Sequence, residues 1–151
     1  MEIPPDPGSY IIVGRLAKEV CLTTGLFKGY LLARGYYLYT GSAFGPGGLL
    51  ARTTGHLNPE TKKFWHSDHI KAHMNIDEIW YSLGGKYQEC QFIKVLAGMK
   101  NSSFPIHKFG SSDCTHGCPA HLVMYAPETD LDSVFALLVK HISSMQRISL
   151  T

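Results

Sequence analysis

The stretch Gly35-Tyr36-Tyr37-Leu38-Tyr39-Thr40-Gly41-Ser42-Ala43 sets the architecture that we expect for the whole chain. Its first part is rich in aromatic residues and is bounded by glycine, as is typical of a β-strand. The next five residues, 44–48, are rich in glycine and proline and predict a turn into a helix that opens near Leu49. Side chains at a strand end and on the first turns of the next helix converge, and a helix N-terminus favours an anion. The stretch therefore predicts a site as well as a strand.

Arg52 and His56 lie four residues apart on this predicted helix, so they share one helix face. Tyr37 and Tyr39 share one face of the preceding strand, because side chains alternate along a strand. A phenol, a guanidinium and an imidazole are therefore expected at one corner, where they suit a phosphate. The alternative is that Arg52 and His56 form an ordinary solvated helix face.

Composition places the chain among globular proteins. It has 151 residues, of which 44% are hydrophobic and 17% charged, and its net charge is +2. We expect a single domain over 1–151 with a flexible Pro-rich arm over 1–7. The chain opens without a signal-peptide pattern, and its four cysteines are expected to be reduced thiols, so we predict a cytoplasmic protein that does not enter a membrane.

The hydrophobic patterns predict alternating strands and helices. Strands are expected at Gly8–Arg15, Glu19–Thr23, Leu26–Leu32, Tyr36–Gly41, Ile76–Leu83 and Leu122–Tyr125. Helices are expected at Leu49–Leu57, Ser67–Met74, Tyr87–Met99 and Leu131–Met145. The resulting fold class is α/β or α+β: a small, mostly antiparallel sheet flanked by helices, with an additional hairpin over Glu19–Leu32.

Two tyrosines on predicted strands are candidate site residues. Tyr10 lies on the first strand in Gly8-Ser9-Tyr10, and Tyr39 lies on the central strand. On spacing alone the favoured interpretation is that both pack in the core and hydrogen-bond through their hydroxyl groups. The functional interpretation requires a nearby cation, since a free phenol has a pKa near ~10 and is a poor base at neutral pH.

Candidate metal ligands lie further along the chain. Glu89, near the start of the third helix, could hold Mg²⁺, which usually takes only one or two protein carboxylates; the alternative is a contact with the helix dipole. His66 belongs to a histidine stripe on the second helix, where a surface or interface role is favoured, and Lys71 is placed to contact a phosphate.

Two thiols and an imidazole cluster near the last strand. Cys114, Cys118 and His121 lie within eight residues of one another, and such soft ligands suit zinc. A single Cys-x-x-x-Cys pair is a weak signal, and buried free cysteines are equally common. A structural zinc site is therefore the less favoured interpretation, and we expect these residues to hold the loop after Gly110 against the sheet.

Taken together, these motifs resemble the GIY-YIG endonuclease superfamily, and most closely its Uri branch. Gly8-Ser9-Tyr10 resembles the first half of the signature, and Tyr39-Thr40-Gly41-Ser42-Ala43 resembles the second, followed by Arg52 and His56. The resemblance extends from Gly8 to about Tyr125. Ser9 and Thr40 replace isoleucines of the signature, and Ser112-Asp113-Cys114 lies where many members carry an asparagine.

The resemblance implies hydrolysis of DNA phosphodiester bonds with a single Mg²⁺ or Mn²⁺, in repair or restriction. Glu89 would hold the metal, Tyr10 or Tyr39 would activate or orient water, Arg52 would stabilise phosphoryl charge, and His56 would assist. The candidate substrate-binding residues are Gly41, Ser42, His66 and Lys71. The alternative is a non-catalytic nucleic-acid-binding or metal-binding module that keeps the fold.

Overall fold

A six-stranded antiparallel sheet forms the centre of the molecule in a computed structural model, which describes residues 3–23, 28–57, 73–85, 88–106 and 120–150. The strands lie in the order β6-β7-β4-β1-β5-β8, and each neighbouring pair is antiparallel. This confirms the predicted fold class. The six strands are β1 (Gly8–Leu16), β4 (Gly35–Ala43), β5 (Asn75–Ser82), β6 (Ser102–Ser103), β7 (Leu122–Tyr125) and β8 (Gln146–Ser149).

The central strands β1 and β4 pair along their whole lengths, from Gly8 opposite Ala43 to Leu16 opposite Gly35. Strand β1 is covered on both faces, and eight of its nine residues are buried. A strand that is covered on both sides needs apolar residues at nearly every position, which explains why its sequence alternates only weakly.

Helices cover both faces of the sheet. Helix α1 (Gly48–Leu57) buries Leu49 on the face that carries Tyr10 and Ile12. On the opposite face, helices α2 (Gln88–Ala97) and α3 (Leu131–His141) enclose the largest hydrophobic core. That core contains Ile11, Val13, Leu38, Trp80, Phe92, Ile93, Leu96, Val123, Tyr125, Val134 and Leu138. Among the described residues, no helix has the length and apolar character needed to cross a membrane.

The predicted helix over Leu131–Met145 is too long. Helix α3 ends at His141, and Gln146–Ser149 forms the edge strand β8, which pairs with β5. The prediction failed because β8 has no apolar alternation: of its four residues, three are exposed and one is half-buried. The two-residue strand β6 was also not predicted, because so short a segment carries no periodic signal.

The additional hairpin is confirmed, although its strands are shorter than predicted. Val20–Cys21 (β2) pairs with Leu31–Leu32 (β3) in a separate two-stranded sheet. Its predicted turn at residues 24–25 lies outside the described residues, as does most of the predicted helix over Ser67–Met74.

Candidate active site

The Tyr10 ring occupies the space above Gly41, its partner across the β1–β4 pair. A Cβ atom at residue 41 would overlap the phenol oxygen and the neighbouring ring carbon of Tyr10. Glycine is therefore required by packing here, and the candidate substrate-binding residue Gly41 acts on the site through the position of Tyr10. Only 1% of Tyr10 is exposed.

Three predicted catalytic side chains meet at this phenol. The Tyr10 hydroxyl shares a hydrogen bond of 2.8 Å with His56 Nε2, and Arg52 Nε donates to the same hydroxyl at 3.4 Å. His56 is buried and Arg52 is half-buried. The helix-face prediction is thus correct for this pair, which turns toward the sheet. In sequence, Tyr10 is 42 residues from Arg52 and 46 residues from His56, yet the three side chains form one hydrogen-bonded cluster.

Burial raises the pKa of Tyr10, and the nearby Tyr39 and Glu89 raise it further, against a smaller lowering by Arg52. The phenol therefore keeps its proton at neutral pH. Arg52 Nε donates to the phenol oxygen, and the same hydroxyl group shares a hydrogen bond with His56 Nε2. We call these three residues the Arg–Tyr–His chain.

Tyr39 lies beside this chain on β4. Its ring centroid is 5.9 Å from that of His56, with an angle of 59° between the ring planes. Tyr39 is half-buried, whereas Tyr10 is almost completely enclosed. Of the two signature tyrosines, Tyr39 therefore has the greater access to solvent.

The backbone N–H groups that open helix α1 are all engaged within the protein. Leu49 N and Leu50 N donate to the carbonyls of Asp6 and Pro4, at 2.9 and 3.0 Å. Gly48 N and Ala51 N donate to carbonyls of the preceding turn. The expectation that this helix N-terminus would hold an anion through its N–H groups is therefore wrong. Residues 3–7, predicted as a flexible arm, contain the buried Ile3 and occupy this end of the helix.

A cavity of about 270 Å³ opens between the end of β4 and the start of α1. Its lining includes Ser42, Phe44, Pro46 and Arg52. The guanidinium that donates to Tyr10 thus also borders a space accessible to a ligand. Ser42, the other substrate-binding candidate of this strand, is half-buried and lines the same cavity.

Glu89 lies in the first turn of α2, half-buried, on the helix that packs against the face of the sheet opposite α1. Its carboxylate is close enough to Tyr10 for its charge to raise the pKa of the phenol. In the described part of the chain, no group of three or more His, Cys, Asp and Glu side chains forms a metal site. A single half-buried carboxylate fits Mg²⁺, which keeps most of its ligands as water.

A family model described as a domain of unknown function, DUF123, matches residues 9–144. The chain belongs to the DUF123 family. The matched part of this DUF123 domain contains Tyr10, Tyr39, Arg52, His56 and Glu89. Comparison with curated proteins and with solved structures gave no match.

The DUF123 domain also brings His121 next to a residue to which the sequence assigned no role. Cys90 Sγ lies 3.9 Å from His121 Nε2, and both side chains are buried. Cys90 lies beside the candidate metal ligand Glu89 in the sequence, but its contact with His121 could not be predicted because the two residues are 31 positions apart. The other predicted ligands and contacts, His66, Lys71, Cys114 and Cys118, lie outside the described residues.

Proposed function

We propose that this DUF123 domain is a metal-dependent endonuclease that hydrolyses phosphodiester bonds of DNA. The observation that supports this proposal is the Arg–Tyr–His chain, which holds a guanidinium at the edge of a cavity beside a second, more accessible phenol. The resemblance of the two tyrosine motifs to the GIY-YIG signature assigns that combination of groups to phosphodiester hydrolysis.

Arg52 is the residue that stabilises charge on the phosphoryl group. Its Nε donates to Tyr10, the residue borders the cavity, and a planar guanidinium fork matches the geometry of phosphate oxygens. Because the α1 N–H groups are engaged by protein carbonyls, the phosphate depends on side chains at this corner. Ser42, across the cavity, is the second donor of this proposed phosphate site.

Tyr39 orients the attacking water, and Tyr10 is a positioning residue. The two phenols lie close enough to interact electrostatically, so both cannot easily be ionised together. Tyr10 is the worse candidate for proton transfer, because burial raises its pKa and its hydroxyl group is already hydrogen-bonded to His56 and Arg52. His56 fixes the rotation of the phenol, and through it the Nε of Arg52.

Glu89 holds the divalent metal, Mg²⁺ or Mn²⁺. When bound, such an ion stabilises charge on a phosphoryl group and activates the leaving oxygen. The Glu89 carboxylate supplies the negative charge for the ion, and its half-buried position at the start of α2 leaves room for bound waters.

A cleavage assay on a panel of labelled duplex, flapped and branched DNA, with and without Mg²⁺ or Mn²⁺, tests the proposal. We expect Glu89→Gln to abolish metal-dependent cleavage while circular dichroism and thermal unfolding stay unchanged. Binding of DNA should be retained or strengthened, because the substitution removes a negative charge beside the phosphate. Glu128→Gln, which changes an exposed glutamate, is the matched control and should cleave normally.

Two results would contradict the proposal. Full activity of Glu89→Gln would remove the metal assignment. Tight DNA binding by the wild-type chain with no cleavage under any metal would instead indicate the non-catalytic nucleic-acid-binding module.

A further inference from the structure

The N-terminal arm, residues 3–7, supplies hydrogen-bond acceptors to the start of α1. Leu49 N donates to the carbonyl of Asp6 at 2.9 Å, and Leu50 N donates to the carbonyl of Pro4 at 3.0 Å. Three of the five arm residues are prolines, which have a carbonyl group but no N–H group. A helix begins with N–H groups that have no partner within the helix, so an arm that is rich in acceptors and poor in donors matches it.

The arm is also held by packing. Ile3 is 7% exposed and belongs to the hydrophobic cluster that contains Tyr10 and Leu49. The arm backbone passes directly over Gly48, which has a φ of 56° and where a Cβ atom would overlap the carbonyl oxygen of Pro5. Glycine allows both this backbone conformation and this close approach. The arm is therefore anchored in the same cluster that encloses the phenol.

We propose that the N-terminal arm is a positioning element of the candidate active site, which sets Arg52 and His56 against Tyr10. Leu49, Arg52 and His56 follow one another at intervals of three and four residues, so they share one face of α1. The arm fixes this face at Leu49, through the N–H group of that residue and through the shared cluster with Ile3. Both hydrogen bonds of the Arg–Tyr–His chain join the helix to the sheet, so a shift of the helix start changes both.

Helix α1 depends on contacts of this kind, because a helix of ten residues is marginally stable by itself. The competing explanation is that the arm only occupies the N–H groups of α1 and gives them up to a phosphate. The burial of Ile3 favours positioning, since an arm that left the helix would also withdraw Ile3 from the cluster around Tyr10. The effect on catalysis rests on the proposed function, whereas the placement of Arg52 and His56 by the arm does not.

NMR spectroscopy of the full-length Ile3→Ala variant, without DNA or metal, tests the proposal. We expect the ring nitrogen signals of His56 to shift, because its hydrogen bond to the phenol is disturbed. The amide protons of Leu49 and Leu50 should exchange with solvent at least several-fold faster than in the wild type. Ile148→Ala is the matched control: it removes an aliphatic side chain from the same cluster at the edge strand β8, and should lower the thermal stability without shifting the His56 signals.

Ile3→Val, which removes one methylene group, should give smaller changes in the same direction, so the series remains informative if Ile3→Ala does not fold. Signals of His56 and amide exchange rates that match the wild type in both variants would overturn the proposal. Shifts of the same size in Ile148→Ala would also overturn it, because they would show a general response of the cluster.

Cleavage and DNA binding give a second, separate readout. In Ile3→Ala we expect a several-fold lower single-turnover rate at saturating enzyme, with DNA affinity close to that of the wild type. Stronger DNA binding by Ile3→Ala would show that the arm competes with phosphate, and would overturn the positioning role. A wild-type chain that cleaves no DNA would contradict the proposed function alone, because the NMR measurements would still decide whether the arm places His56.

Discussion

At the scale of single residues, the two tyrosines of the candidate site differ in burial and in hydrogen bonding. Tyr10 is 1% exposed and is engaged by both Arg52 and His56. Tyr39 is half-buried, and its ring centroid lies 5.9 Å from that of His56. A buried phenol with a raised pKa is suited to holding neighbours in place, and an accessible one is suited to meeting water. These differences lead to separate predictions for Arg52 and for the tyrosines.

Arg52→Ala should slow single-turnover cleavage by about 10²–10³-fold, because the lost donor acts mainly where phosphoryl charge is greatest. DNA binding should weaken only slightly, because Arg52 stabilises the transition state more than it stabilises the bound substrate. Rates at saturating enzyme and affinities in Ca²⁺ or EDTA separate the two effects. Arg34→Ala, at an exposed position directly before β4, removes the same charge away from the site and should change the rate little. Equal losses in both variants would mean that Arg52 contributes only general attraction to DNA.

Tyr39→Phe should reduce the cleavage rate more than Tyr10→Phe does. Positioned proton transfer typically contributes ~10²–10⁴-fold, which sets the scale of the loss for Tyr39. Tyr10→Phe removes a hydrogen-bond partner from both Arg52 and His56, so we expect a smaller loss together with lower thermal stability. Tyr37→Phe, another buried tyrosine on the same face, is the control. A larger loss of cleavage rate in Tyr10→Phe than in Tyr39→Phe would assign the water-orienting role to Tyr10. Wild-type rates in both variants would mean that both tyrosines only pack in the core.

At the scale of elements, the close pairing of β1 and β4 decides where the Tyr10 ring can lie. Gly41→Ala places a methyl group against the phenol oxygen and ring, in a site with no room for the ring to move. We expect a loss of about 1–3 kcal/mol in the free energy of unfolding, as is typical of overpacking, together with loss of cleavage. Gly45→Ala is the matched control, because nothing lies within 4 Å of the added methyl group.

A double variant identifies the cause of that loss. If the methyl group acts by displacing the ring, then Gly41→Ala should cost much less stability in a Tyr10→Ala background than in the wild type, and the two changes should be non-additive. Additive losses, measured by urea unfolding, would show that residue 41 is sensitive for a reason other than the Tyr10 ring.

The sequence was sufficient for the elements that carry strong local signals. The aromatic run over Gly35–Ala43 and the apolar run of β1 identify the two central strands, and the Arg52 and His56 spacing identifies one helix face correctly. The edge strand β8 was missed because its stability comes from partners distant in sequence. Arg147 forms ion pairs with Glu78 and Asp132 and lies 5.5 Å from the centre of the Trp80 ring.

The site shows the same limit. Strand and helix patterns could bring Tyr10, Arg52 and His56 to one end of the sheet, but they could not show that the phenol is enclosed or that it is hydrogen-bonded to His56. The capping of α1 by the carbonyls of Pro4 and Asp6 was equally hidden, since proline-rich segments give no pairing signal. Contacts between residues far apart in sequence depend on the assembled core.

At the scale of the whole molecule, buried tyrosines should make the fold sensitive to alkali. Burial raises the pKa of Tyr37 to about 12 and raises the pKa values of Tyr10 and Tyr125 as well. All three are at most 2% exposed. In the unfolded chain a tyrosine ionises near pH ~10, so above that pH the unfolded state releases protons that the folded state retains.

The free energy of unfolding should therefore be unaffected by these groups below pH ~10 and should fall as the pH rises above it. The expected slope is about 1.4 kcal/mol per pH unit for each tyrosine that stays protonated in the folded state, and for Tyr37 it ends near pH 12. Urea unfolding at pH values from about 8 to about 11 measures the slope, because this range extends to both sides of the pKa of a tyrosine in the unfolded chain. Tyr37→Phe loses a hydrogen bond to the Ala33 carbonyl and starts from a lower stability, but it should show a slope smaller by one proton. An unchanged slope in Tyr37→Phe would mean that this phenol ionises equally easily in the folded and the unfolded chain.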